Sequence, residues 1–287
     1  SFRNWQVFDM QTDNRRQKLL SLHLAIRLGI SKVVLSQKSI IDGHDLDLSV
    51  LDSDISKFKT IVSNISEDVY VRNVAIQGLL AFQRGDVVPF LRDRLAVETE
   101  GLLKSNLMIT LSQFQDEASI TLIESLMQES EDVQLAKAAA LALSDLNSYS
   151  SLALLVDKNE LLEGNPLAPF IRRYKSSILE TLETNNNTEL MSAIKAAEFL
   201  YDESSKLQMN ERYLQLLQEN VSSQVKKEIL RQKAETISSP EEALEIINLI
   251  PEDIAYTYEW NKLKNYSDVK LGIKAEVGLE PTYKNAT

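Results

Sequence analysis

The feature that most constrains this chain is a repetition between Ser66 and Leu155. Ser66-Glu67-Asp68-Val69 opens one helical pattern, and Ser130-Glu131-Asp132-Val133 opens another 64 positions later (66 to 130). At half that interval, 32 positions, the apolar residues recur without the opening motif. Val71, Ala75, Leu79 and Phe82 become Leu103, Leu107, Leu111 and Phe114, then Leu135, Ala139, Leu143 and Leu146. Arg72, Lys104 and Ala136 share one position, and Val88, Phe90 and Leu91 become Ile120, Leu122 and Ile123, then Leu152, Leu154 and Leu155. Each unit therefore holds two short amphipathic helices, neither able to bury its apolar stripe alone. A repeat of this length is the signature of an α-helical solenoid, in which stacking supplies the core.

The rest of the composition agrees with helix. The 287 residues are 44% hydrophobic with 8 Gly and 6 Pro, which favours a folded helical chain over sheet or disorder. The net charge of −11 argues against nucleic acid, which needs Lys and Arg to neutralise phosphates, and against adsorption to anionic lipid. The charge reads as a solvated surface that keeps an extended array from self-associating. With no cysteine there is no disulfide framework, thiolate nucleophile or Cys-ligated metal, and the compartment stays open. Five Asn-x-Ser/Thr sites (Asn64, Asn186, Asn220, Asn265, Asn285) are what an Asn- and Ser-rich chain produces by chance. No apolar run approaches the roughly 20 residues that span a bilayer. The chain starts Ser1-Phe2-Arg3-Asn4 without Met, so a processed or excised chain is expected, from which an anchor or signal could have been lost.

Four segments follow. Residues 1–65 form an N-terminal helical cap region, 66–156 the repeats, 157–268 further helical hairpins, and 269–287 a loosely held tail. In the first, Phe2, Trp5, Val7 and Phe8 make an apolar lead-in to a helix ending near Leu28, with Gly29 as its stop and a second short helix over 31–41. Asp42-Gly43-His44-Asp45-Leu46-Asp47 is a turn, and a helix runs on from Asp52 through Phe58. Ser66 and Ser130 are expected N-caps, with acids in the first turns complementing the helix dipole. Ala138, Ala139, Ala140 and Ala142 let neighbouring helices approach closely. Glu163-Gly164-Asn165-Pro166 is the strongest breaker, and Ile171, Lys175, Leu179 and Leu182 offer a continuation of the array beyond it. Helices are expected over 189–201, 205–218, 222–236, 239–250 and 253–263, with Ser239-Pro240-Glu241-Glu242 the clearest start.

The Ser-Glu-Asp-Val starts, the basic residue at Arg72 and Lys104, and the small or branched apolar residues after it resemble HEAT-type (armadillo-like) repeats. The resemblance covers residues 66–156 well and the flanks only by helical pattern. It implies an all-α, right-handed solenoid of helical hairpins that acts as a scaffold, a partner-binding surface or the helical domain of a larger machine. In such arrays second helices commonly line the concave side. That would turn Arg92 and Arg94 towards a partner, and Arg172, Arg173 and Tyr174 form a further basic and aromatic cluster. The bland alternative for all five is a solvated face paired with nearby Glu. Arg72 and Lys104 are expected instead to tie successive repeats together.

Catalytic material is thin. His44 with Asp42, Asp45, Asp47, Asp52 and Asp54 has carboxylates near an imidazole, but the spacing misses the calcium loop and suits a capping-rich turn. His23 is a lone imidazole in a helix, and no Gly-rich phosphate loop occurs. The expectation is a non-enzymatic module binding another protein or peptide on its concave face, with no catalytic residue, cofactor, metal, nucleic acid or membrane insertion. The alternative is the helical domain of a larger enzyme, or a repeat-protein enzyme acting on a small substrate.

Overall fold

The period in the sequence reappears as a period in the helix boundaries. The structure is a computed structural model that describes residues 14–41, 51–237, 239–249 and 258–270, and among these there are helices and no strand. The expected lead-in at 1–11, the turn containing His44 and the tail beyond residue 270 lie outside the described residues. Two compact units divide the chain, Ser1–Phe170 and Ile171–Thr287.

The first unit holds α1 (Arg15–Ile41), α2 (Asp52–Ser63), α3 (Val69–Ala81), α4 (Val88–Val97), α5 (Gly101–Gln113), α6 (Ile120–Glu129), α7 (Val133–Asp145) and α8 (Leu152–Leu161). The starts of α3, α5 and α7 (69, 101, 133) and of α4, α6 and α8 (88, 120, 152) are each spaced by 32 residues, and so are the ends. A 3₁₀ turn precedes each of α4, α6 and α8, and α8 runs through residue 156. A four-residue α9 (Ala168–Ile171) crosses the boundary between the units.

Each first helix ends in the same way. Phe82, Phe114 and Leu146 are C-caps, and the next residues, Gln83, Gln115 and Asn147, have φ of 52°, 56° and 53°. The amides of Asp116 and Ser148 reach back to the carbonyls of Leu111 and Leu143 (3.1 Å each), the six-to-one bond of a Schellman stop. No glycine marks these turns.

The starts differ from expectation. Asp68 and Asp132, not Ser66 and Ser130, are the N-caps: Asp68 Oδ1 accepts from the Tyr70 and Val71 amides, and Asp132 Oδ1 from Gln134 and Leu135. The helix begins at Val69 or Val133, so each serine sits two residues upstream of the cap. Asp132→Ala is expected to lower stability by about 1 kcal/mol, and Ser130→Ala by only a few tenths, read as urea-unfolding midpoints.

In α1 the expected stop at Gly29 is absent, and one helix runs from Arg15 to Ile41. Gly29 serves packing instead: a Cβ there would lie 2.1 Å from the Phe82 ring. Phe82 in turn meets Phe58 edge-on, with ring centroids 5.5 Å apart. First helices run parallel within one layer. Lys18 reaches Glu67 (2.7 Å) at one end of the α1–α3 pair, and Gly29 abuts Phe82 at the other. Asp132 lies beside Gly101 where α5 and α7 start, and Gln115 donates to the Asp145 carbonyl (3.4 Å) where they end. Helix α7 packs on both α5 and α6, and its alanines at 136, 138, 139, 140 and 142 are all buried.

The second unit pairs α10 (Lys175–Thr181) with α11 (Asn187–Ala197), α12 (Glu203–Gln218) with α13 (Ser223–Thr236), and α14 (Pro240–Leu249) with α15 (Tyr258–Lys270). Helices α11, α13 and α15 stack in one layer, and α10, α12 and α14 in the other. Ser239 Oγ accepts from the Glu242 amide (3.1 Å), as the sequence predicts for that helix start. Helix α15 continues past Leu263 through Lys270, into residues read from sequence as connection and tail. No helix among the described residues is long and apolar enough to cross a membrane.

Candidate functional site

Several basic side chains that look like surface features in the sequence are buried between helices. Arg72 is 2% exposed. Its Nε donates to the Val62 carbonyl (3.1 Å) at the end of α2, and its guanidinium meets Glu98, just past α4. Arg94 donates to the same Glu98 oxygen (2.8 Å), and the other oxygen accepts from the Thr99 and Glu100 amides. Burial opposes the charged form of Glu98. The hydrogen bonds from Arg94, the two amides and Arg72 outweigh it and hold the carboxyl below the usual range. Lys158 Nζ donates to the Gln128 carbonyl near the end of α6 (3.3 Å). In the second unit Arg212 Nε donates to the Leu182 carbonyl (2.8 Å), and Lys226 Nζ to that of Leu217 (2.9 Å). A cation placed on carbonyls at a helix C-terminus satisfies acceptors that have no intrahelical donor and complements the dipole. Arg72 thus ties helices as the sequence suggested. Lys104, at the equivalent position, makes no such bond among the described residues.

The five residues singled out as a partner surface divide between the units, Arg92 and Arg94 in the first and Arg172, Arg173 and Tyr174 in the second. Arg92 makes a two-pronged ion pair with Asp116 (Nε to Oδ2 2.9 Å), whose carboxylate is itself buried. Arg94 is committed to Glu98. Tyr174 is 3% exposed and belongs to the core of the second unit, because the 3₁₀ turn Arg172–Tyr174 points its third residue inward. Arg172 and Arg173 are exposed, and the Arg172 guanidinium stacks over the Tyr201 ring at 5.1 Å. His23 is exposed on α1, Asp52 pairs with Arg84 (2.9 Å), and Asp54 pairs with Lys32 (2.8 Å). Among the described residues no three His, Asp or Glu side chains are placed to hold a metal ion.

A different surface recurs with the repeat. Val97, Glu129 and Leu161 are the last residues of α4, α6 and α8, and Ile65 occupies the matching place in the turn after α2. Ile65 is 76% exposed, Val97 65% and Leu161 80%. In the first turn of the following helices, Tyr70 and Leu102 are exposed as well. The ties just described place these ends along one edge. Arg72 joins the end of α2 to the residue after α4, Asp132 adjoins Gly101, and Lys158 joins α8 to the end of α6. Exposed acids lie among the apolar residues: Glu100, Glu129, Glu131 and Glu163. The regular 32-residue offset links positions 65, 97, 129 and 161 in the sequence, but only exposure separates this row from the core stripes.

The second unit contains a cavity of about 300 Å³ between α10 and α12, lined by Leu179, Leu182, Glu211 and Arg212 among others. Arg212 is not available to a ligand there as a free cation, because Glu219 takes its Nη1 at 2.6 Å and the Leu182 carbonyl its Nε. Deeper in the same unit Tyr213 donates to Gln232 (2.9 Å), which donates to the Ile194 carbonyl (2.8 Å), and burial raises the phenol well above its ordinary value.

Fold and surface together define an all-α protein of stacked helical hairpins with an exposed apolar row at the connections of its first unit. Neither the profile of any known protein family nor any curated protein matches the chain.

Proposed function

We propose that this chain is a non-enzymatic protein-binding module, an array of HEAT-like hairpins whose contact surface is the inter-repeat edge of the first unit. The observation that carries this reading is the row Ile65, Val97 and Leu161, exposed at three of four equivalent places, with Glu129 at the remaining one. Single exposed apolar residues are ordinary. An aligned row of them, extended by Tyr70 and Leu102, is the composition of an interface centre. The identical boundaries at 32-residue spacing and the parallel first helices support the right-handed HEAT-like assignment, although α1 and α2 depart from the period. With Arg92 paired to Asp116 and Arg94 to Glu98, the reading moves from the concave face to this edge. The exposed Arg172 and Arg173 stay a second candidate contact. The alternative of an enzyme domain has a foothold in the cavity beside α12, but Arg212 there is tied to backbone and carboxylate.

The test is site-specific photocrosslinking in cells that make the protein naturally. A photoreactive side chain at Val97 or Leu161 is expected to capture a discrete protein. The same group at Gln83 or Asn147, on the opposite edge, is expected to capture none. Equal capture from both edges, or from neither, refutes the assignment.

A further inference from the structure

Building on that reading, we infer that the edge receives an amphipathic basic helix of another protein, apolar near its two ends and rich in Lys or Arg at its centre. Neighbouring helices in a layer lie about 8–10 Å apart. The four places from Ile65 to Leu161 therefore span roughly 24–30 Å. A helix rises 1.5 Å per residue, so this is the length of about 16–20 residues, long enough for one segment to touch every repeat of the unit. The apolar contacts lie at the two sides of the row, Ile65 and Val97 at one and Leu161 at the other. Between them stand Glu129 and Glu131, with Glu100 and Glu163 flanking.

Around Glu129 and Glu131 the charge of this edge is not balanced from within; at the α1 side Arg15 pairs with Asp68 and lies over the Tyr70 ring, with exposed Arg16 beside it. The nearby cations are committed elsewhere: Lys18 to Glu67, Arg72 and Arg94 to Glu98, and Lys158 to the Gln128 carbonyl. Lys104 and Lys137 sit half-buried one turn inside α5 and α7. Glu129 accepts only a neutral hydroxyl, from Ser125 (3.0 Å), among the described residues. An acidic strip with apolar anchors repels nucleic acid and anionic lipid and attracts a segment with the opposite pattern. It also disfavours a second copy of the same edge, which would face acid with acid. Helix-in-surface recognition reads such a partner through apolar anchors, with charge setting register and on-rate.

The test uses the full chain and a fluorescent, end-capped 20-residue peptide of Leu, Ala and Lys, with Leu near both ends of one face and Lys at its centre. Binding is followed by anisotropy at low and moderate salt. The proposal expects saturable binding that weakens with salt, and weaker binding by about tenfold or more for Val97→Ser/Leu161→Ser and for Glu129→Lys/Glu131→Lys. Glu117→Lys, at the opposite edge, is expected to change it less than about twofold. Circular dichroism checks that each variant is folded. A scrambled peptide of the same composition that binds equally well, or a Glu117→Lys loss as large as that of the edge variants, overturns the proposal. So does the absence of binding, or a concentration-dependent dimer that the Val97→Ser/Leu161→Ser protein loses. A protein crosslinked at Val97 that presents no basic helix overturns the helical occupant and leaves the protein-binding reading standing. Silence in both experiments removes both.

Discussion

Glu98→Leu is expected to destabilise the protein by about 3–5 kcal/mol, because it strands a guanidinium in the core. Arg72 keeps its bond to the Val62 carbonyl but loses its counter-charge at 2% exposure. The amides of Thr99 and Glu100 lose their acceptor as well. Arg72→Met is expected to cost less, since Glu98 then retains Arg94 and both amides. The double change Arg72→Met/Glu98→Leu should recover part of the loss, because the fully buried Arg72 charge is removed with its partner and only Arg94, with its side chain 12% exposed, is left unpaired. Urea unfolding is the suitable measurement, as urea leaves ion pairs unscreened. The pH dependence has a definite sign. The folded Glu98 carboxyl titrates below its ordinary value of 4.5, so its contribution is complete above about that pH and is lost as the pH falls beneath it. The gap between wild type and Glu98→Leu should therefore narrow on acidification. A constant gap from neutral pH to pH 3 would show that the carboxylate's charge does not matter.

Phe82→Ala is expected to cost a similar amount, about 3–5 kcal/mol, by leaving a cavity where α1, α2 and α3 meet. The ring is buried against Phe58 and fills the place where a Gly29 side chain would stand. This contact predicts a reversal of sign. In the wild type, Gly29→Ala forces a methyl to within 2.1 Å of the ring and should destabilise by about 1–3 kcal/mol. In the Phe82→Ala background the same methyl enters empty space, and the helix gains up to about 1 kcal/mol from replacing glycine. A double-mutant cycle reads this directly. If Gly29→Ala destabilises both backgrounds equally, the close approach of α1 to Phe82 is wrong.

Much of the fold was legible because its determinants are local or periodic. The offset that maps Phe82 onto Phe114 and Leu146 found the end of each first helix, although Gln83, Gln115 and Asn147 carry none of the glycine that usually advertises such a turn. Ser239-Pro240 placed α14, since cap and first-turn geometry depend on four adjacent residues. Errors arose where the same residue type has two uses. Gly29 looked like a stop because glycine is poor in helices, but it marks a crowded crossing with Phe82, a residue 53 positions away (29 to 82). Serine and aspartate are both good caps, and only the helical register decided for Asp68 and Asp132.

The candidate site was less legible, for a related reason. Arg92, Arg94 and Tyr174 have the composition of an interface, but composition does not reveal whether a charge already has a partner. Asp116 lies 24 positions from Arg92, and Glu98 lies four from Arg94 and 26 from Arg72. Conversely nothing in the spacing marks Val97 and Leu161, because a helix's last apolar residue is buried or exposed according to where the helix stops.

The sequence by itself determined that this protein is helical, that residues 69–161 are paired helices at a 32-residue interval, and which stripes form the core. Those properties follow from periodicity and local backbone chemistry. Only the tertiary structure decided which basic residues cap neighbouring helices, which glycine is a contact and which apolar residues face water. Each of those outcomes depends on what a distant segment brings within a few ångströms, and spacing along the chain does not encode that.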